Sequence, residues 1–262
     1  MRIGKQDNAF TSIATSDAKS ITVRGLDLTS EIVGHFDFTR YFWFLVTGKQ
    51  PSDAQKFLAN AVLCSIAEHS LVPSVAVARM TIAAAPEAFQ GAVAAGLLGC
   101  GSVVLGSAET AGRFIASLLE AADREGKNID DAAREGVAAL RAEKRAFPGF
   151  GHPEHSGGDP RALRLLSLAA EQGMAGKHIA MLEAVHRAIP SVLGRELPIN
   201  VNGAIPAVML DAGFPLDAMK GISLLARTAS IIGHLQEEAE RPIGFMMAGA
   251  AADRIEYVEQ AQ

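Results

Sequence analysis

Between Phe89 and Leu105 the chain carries no charged side chain and is rich in glycine and alanine. A helix of that composition has to be buried nearly all round. Its small side chains let other backbones approach closely, either within the core or across a subunit interface. Elsewhere Val, Ile and the aromatic residues do not gather in the alternating runs that half-buried strands need. The expected fold class is therefore all-α, built from closely packed helices.

The remaining segments are divided by helix start and stop signals. Ile32, Val33, Phe36, Trp43 and Phe44 recur at helical spacing, so one helix is expected near Thr29 to Thr47. Gly48-Lys49-Gln50-Pro51 breaks it. Ser52 to Gln55 reads as a capping box, with Ser52 as N-cap and Gln55 reaching back. The helix it opens has Phe57, Leu58, Ala61, Val62, Ser65 and Ile66 on one face and ends near Glu68-His69. Pro73 starts another, to about Ala84. Ser107 to Gly126 and Asp130 to Lys144 are charged along one side and read as surface helices. Further helices are expected at Pro160 to Gln172, Lys177 to Ile189, Val201 to Ala212 and Leu216 to Glu240, punctuated by Gly173, Pro190 and Gly213. The total is roughly ten to twelve helices. The stretch before Val23 is polar and weakly patterned.

With 262 residues, the chain is long enough for one large domain or two modest ones. Net charge is −5 and there is no basic run, which argues against nucleic acid as a partner. No apolar run reaches the length of a membrane-spanning helix, so no membrane partner is expected. The first residues carry no signal-peptide core. Cys64 and Cys100 have no framework spacing, which points to a reducing cytoplasm.

The densest chemistry lies in Pro148 to Arg161, a Gly/Pro-shaped loop bearing His152, His155, Glu154, Asp159 and Arg161. Asp159-Pro160 reads as a helix start, with Asp as N-cap and Pro at the first helical position. Such a loop suits an anionic or carbonyl-bearing ligand. Each candidate also has a plainer reading. His152 between glycines could meet a ligand or be a turn histidine, and His155 reads as solvated. His152, His155 and Asp159 could be a metal set, but no fourth ligand is visible, so no metal is expected. His69 could simply complement a helix C-terminus. Asn200 or Asn202 could cap the next helix or hydrogen-bond a ligand carbonyl. Arg227, in an otherwise apolar helix, wants a carboxylate or phosphate, and Glu237 or Glu238 could supply it. Arg241 could face a site or a neighbouring subunit.

Together these pieces resemble the citrate synthase superfamily, most closely its short, citryl-CoA lyase-like members, over nearly all the chain beyond residue 20. Val23-Arg24-Gly25 is similar to the family's tyrosine-arginine-glycine motif. Leu45 to Ser52 resembles its leucine-x-x-glycine-x-x-proline-threonine turn, and Ala67-Glu68-His69 its alanine-aspartate-histidine motif. Gly149-Phe150-Gly151-His152, followed by Asp159-Pro160-Arg161, is similar to its most specific signature. Asn200-Val201-Asn202-Gly203 sits where the family has asparagine-valine-aspartate. Arg227 through His234 to Glu237 resembles the late arginine-to-histidine-glutamate helix.

The resemblance implies an all-α homodimer or higher homo-oligomer. A large domain of residues 1–103 and 213–262 would carry a smaller one, 104–212, that closes over the substrates. Those would be a coenzyme A thioester and a small carboxylic acid, with no permanently bound cofactor. In the roles it implies, His152 serves the ketone or alcohol oxygen and His69 faces the acid. Arg161, Arg227 and Arg241 hold carboxylates, the last sometimes across the dimer. Gly149 and Gly151 belong to the coenzyme A loop.

Three departures bear on the reaction. Asn202 replaces the family aspartate that moves the methyl proton of acetyl-CoA, and an amide cannot accept that proton. Leu98 to Val103 lacks the synthase histidine, leaving the Gly101 and Ser102 N–H groups as donors to the thioester oxygen. Pro153 stands where arginine is common. The leading expectation is a lyase that splits a citryl-CoA-like 3-hydroxyacyl-CoA, with His152, His69 and Asn202 at the reacting centre. The alternatives are a citrate synthase-type acyltransferase, a non-catalytic acyl-CoA or polycarboxylate binding protein, and a helical metal-binding or scaffold protein.

Overall fold

A computed structural model describes residues 9–101, 105–151 and 158–259. By internal contacts the chain forms two compact units, Met1–Asn60 and Ala61–Gln262.

The first unit opens with a three-stranded antiparallel meander, β1 (Ala14–Ser16), β2 (Ile21–Val23) and β3 (Leu26–Asp27). The polar composition that hides these strands is what makes their turns. Asp17 accepts the N–H groups of Lys19 and Ser20 at 2.7 and 2.9 Å, closing the first turn. Val23 pairs with Leu26 around Arg24 and Gly25, both at positive φ, a two-residue hairpin turn of the primed type. The single helix expected from Thr29 to Thr47 is split. A π-helical turn covers Leu28–Ile32, capped by Asp27, and the helix restarts as α1 (Phe38–Thr47) with Asp37 as N-cap. Gly34, at φ +83°, makes the break. The Ser52–Gln55 capping box forms in both directions, at 2.8 and 3.2 Å, and opens α2 (Asp53–Ala67).

The second unit contains α3 (Pro73–Ala84), α4 (Phe89–Leu98), α5 (Ser107–Glu125), α6 (Ile129–Ala142), α7 (Pro160–Glu171), α8 (Lys177–Leu193), α9 (Val201–Asp211), α10 (Met219–Glu240) and α11 (Gly244–Ala252). At its centre lies α9, packed against α5, α7 and α8, with Val201 and every residue from Gly203 to Met209 buried. This is the helix covered all round. The expectation of burial for the Phe89 segment fails within a single chain: the helix stops at Leu98, and Leu98 is 87% exposed. Only Ala92 and Gly96 of α4 are buried, where α3 and α10 pack against it. Pro190 does not end α8. It sits in the last turn, where its missing N–H removes one hydrogen bond, and Gly194 at φ +74° terminates the helix. Among the described residues no helix is long and apolar enough to cross a membrane.

Candidate functional site

Two loops cross at the start of α9. Gly151 N–H donates to the Pro198 carbonyl at 2.8 Å and Asn200 N–H to the Gly149 carbonyl at 3.0 Å, pairing Phe150 antiparallel with Ile199. The crossing is backbone on backbone. A Cβ added to Gly149, at φ +88°, would lie 2.7 Å from the Gly203 Cα; one on Gly203 would lie 2.6 Å from the Gly149 oxygen. Only glycine at both positions allows the approach. Asn200 caps α9 by accepting the Asn202 N–H at 3.0 Å, and its Nδ2 donates to the Gly151 carbonyl at 2.6 Å. The capping reading thus holds for Asn200. The half-buried Asn202 side chain bonds no described residue, and Pro206 has no N–H for its carbonyl.

Asp159 ties α7 to the same crossing. It is fully buried, and its Oδ1 accepts Arg161 N–H and Nε at 3.0 Å each. Its Oδ2 accepts Arg161 Nη2 and Val201 N–H at 2.9 Å each. Burial pushes its carboxyl pKa up, but the bonds from Arg161 and Val201 outweigh that and hold it below the ordinary value. Arg161 is therefore committed along one edge of its guanidinium. Among the described residues, Nη1 is left to meet a ligand. The Asp159 oxygens, filled by N–H donors, are not offered to a metal, and no metal-ligand cluster occurs among the described residues. His152, His155 and Ser102 lie outside them.

A second cluster surrounds α10. Arg227 is 2% exposed and has no carboxylate within ion-pair distance among the described residues. Among the described residues its Nε has no partner and its Nη1 meets only the Ser230 hydroxyl, at 3.5 Å. Burial lowers its pKa, but a guanidinium stays charged. The Glu237 and Glu238 expected for Arg227 instead bind Arg79 of α3: Nε to Glu238 at 2.5 Å, Nη1 to Glu237 at 2.8 Å. Arg79 Nη2 also donates to the Arg241 carbonyl at 3.1 Å. Arg241 itself is exposed, 3.7 Å from Glu237.

His69, half-buried, follows the end of α2. Beside it Glu68 accepts from Ser230 at 2.5 Å and pairs with His234 Nε2 at 3.1 Å. Cys100 lies near Arg227. Burial pushes its thiol pKa up, which disfavours the thiolate a nucleophile needs. Gly101 is exposed, and its carbonyl takes the Gly106 N–H at 2.9 Å. A cleft of about 670 Å³ between α5 and α6 reaches Pro148, with Arg113 and Arg145 on its wall.

Arg79 has no role in the sequence reading, and Glu68 enters it only as part of the Ala67-Glu68-His69 motif. Arg79 carries the same signal as Arg227, a lone guanidinium in an apolar helix. Which arginine takes the glutamates depends on how α3 packs on α10, and that is not written locally.

No curated protein matches the sequence. Solved structures do. Citryl-CoA lyase from Hydrogenobacter thermophilus superposes with a TM-score of 0.84 at 27% identity, over 100% of this chain and 96% of that one. ATP citrate lyase from Methanosaeta concilii, solved with (3S)-citryl-CoA, gives 0.76 at 19%, covering 99% of this chain and 43% of that one. Citrate synthase from Thermoplasma acidophilum, solved with carboxymethyl coenzyme A and oxaloacetate, gives 0.68 at 17%, covering 86% and 58%. The latter two bear on the fold alone. A family model described as citrate synthase, C-terminal domain, matches residues 35–244, and with that span and the shared helical fold the chain belongs to the citrate synthase family.

Proposed function

We propose that the chain is a citryl-CoA lyase-like enzyme, cleaving a citryl-CoA-like 3-hydroxyacyl-CoA to an acyl-CoA and a 2-oxo acid. The observation that carries the reading is the end-to-end likeness to a citryl-CoA lyase of nearly the same length. The buried guanidinium of Arg227, its Nε without a partner among the described residues, is a fitting receptor for a substrate carboxylate. His152 takes the proton of the substrate alcohol. The bond between the alcohol carbon and the thioester α-carbon breaks, the alcohol becomes the ketone of the oxo acid, and the electron pair passes to the thioester enolate. Asn202 can donate a hydrogen bond but cannot carry a proton, so water or His69 returns one to the enolate carbon. His69, Arg161 and Arg227 orient carboxylates. The N–H groups of Gly101 and Ser102 are assigned as donors to the thioester oxygen.

The Gly149–Gly151 segment and the neighbouring cleft, with Arg113 and Arg145, suit coenzyme A. Residues 104–212 form the part that closes, and the active form is a homodimer in the cytoplasm. Asn202 also supports a second reading, a non-catalytic acyl-CoA or polycarboxylate binding protein on the same fold. Citryl-CoA cleavage separates the two. Wild type should turn over and His152→Ala should be slower by a factor of about 100 or more. Equal rates would remove His152 from the mechanism. A silent wild type, with activity gained in Asn202→Asp, would support the binding reading.

A further inference from the structure

Three N–H or O–H donors converge on Glu68. Its Oε1 takes the Ser70 N–H at 2.5 Å. Its Oε2 takes the Ser230 hydroxyl at 2.5 Å and faces His234 Nε2 at 3.1 Å. The role of His234 follows from its other nitrogen. Nδ1 lies 3.4 Å from Arg79 Nη1, which can only donate, so Nδ1 accepts and the ring proton sits on Nε2, pointing at Glu68. Arg79 is in turn held by Glu237 and Glu238. An acceptor-only carboxylate satisfies all three donors. An amide cannot, because either orientation of its NH₂ sets a donor against a donor. Glu68 is itself exposed; partial desolvation raises its pKa, but the bonds from Ser230, His234 and Ser70 outweigh that and keep it below the ordinary carboxyl value, so it is ionised at neutral pH.

Glu68 thereby acts on two residues of the site. Its bond to Ser70 closes the turn that carries His69, a turn in which Ser70 adopts a left-handed backbone, φ +58°. Its bond to Ser230 consumes that hydroxyl's proton and leaves the oxygen lone pairs toward Arg227 Nη1. We infer that Glu68 is a positioning residue for the acid half of the substrate, fixing His69 through the 68–70 turn and Arg227 through Ser230. The inference rests on the proposed acid-binding role of Arg227.

Titration calorimetry with citrate, and separately with coenzyme A, tests it in the full-length protein. Glu68→Gln should weaken citrate about tenfold, the scale of one lost bond to a charged group, while leaving coenzyme A unchanged. Glu68→Asp, which keeps an acceptor-only group, should recover most of the loss. Ser230→Ala breaks the link from the other side and should reproduce the citrate-selective defect, which also covers the case in which Glu68→Gln does not fold. Unchanged citrate affinity in a folded Glu68→Gln or Ser230→Ala overturns the inference. So does a gain in affinity, which would make Glu68 merely a competing charge, and so does equal weakening of citrate and coenzyme A. Wild type that binds coenzyme A but no citrate overturns the acid-binding reading and this inference with it.

Discussion

Asp159 holds four N–H groups on two oxygens while fully buried, joining the first turn of α7 to the first turn of α9. Asp159→Asn keeps one acceptor and aims an NH₂ at donors. It should destabilise the fold by about 3 kcal/mol at pH 7, the scale of breaking a buried charged pair from one side. The sign of the pH dependence follows from its lowered folded pKa. Its contribution is complete above the unfolded value, near 3.8, and is lost as pH falls from there through the folded value. Urea unfolding at pH 7 and at pH 3 checks both: the gap between wild type and variant should narrow at the lower pH. A gap of equal size at both would mean the carboxylate charge is not what matters. The N-cap was legible in the Asp159-Pro160 pair, because capping is local chemistry. The bond to Val201, 42 residues on, was not.

Elements were legible where their signals were local and misread where a neighbour decided. The Ser52–Gln55 box and the Gly48 stop formed as read. The β1–β3 meander was missed because its strands are two or three residues long, too short for a period to show. Pro190 is a weak stop signal here, since a proline in a last turn removes one bond without ending the helix. The junction of α3 with α10 shows the limit most clearly. Arg79 and Arg227 look alike in sequence, yet among the described residues Arg79 is paired on two sides and Arg227 is not. Arg79→Met should destabilise by about 3–5 kcal/mol, because it strands Glu238, only 4% exposed. Adding Glu238→Gln removes the stranded charge. It keeps an acceptor for the Ile243 and Gly244 N–H groups at the start of α11, so the double variant should melt closer to wild type than Arg79→Met alone. A double variant less stable than the single would show that the pair is not a coupled unit.

At the scale of the molecule, the second unit exposes large apolar side chains. Leu98 on α4 is exposed, and α11 is composed of Gly, Phe, Met and Ala, with Phe245 and Met246 about 70% exposed. Contiguous apolar faces of this kind mark association surfaces. The exposed Arg241 lies three residues before α11, next to that face. If the face joins two copies, Phe245→Glu should give single chains by light scattering where wild type gives pairs, with helical content retained by circular dichroism. Wild type that remains single at all concentrations would refute the dimer. The pairing also decides where Arg241 acts. An Arg241→Ala chain and a His152→Ala chain, each inactive alone, form mixed dimers on unfolding and reassociation. If Arg241 reaches across the two-fold axis, half the dimers are mixed and each holds one intact site, so about a quarter of wild-type citryl-CoA cleavage returns. If Arg241 serves its own chain, each mixed dimer has two defective sites and nothing returns.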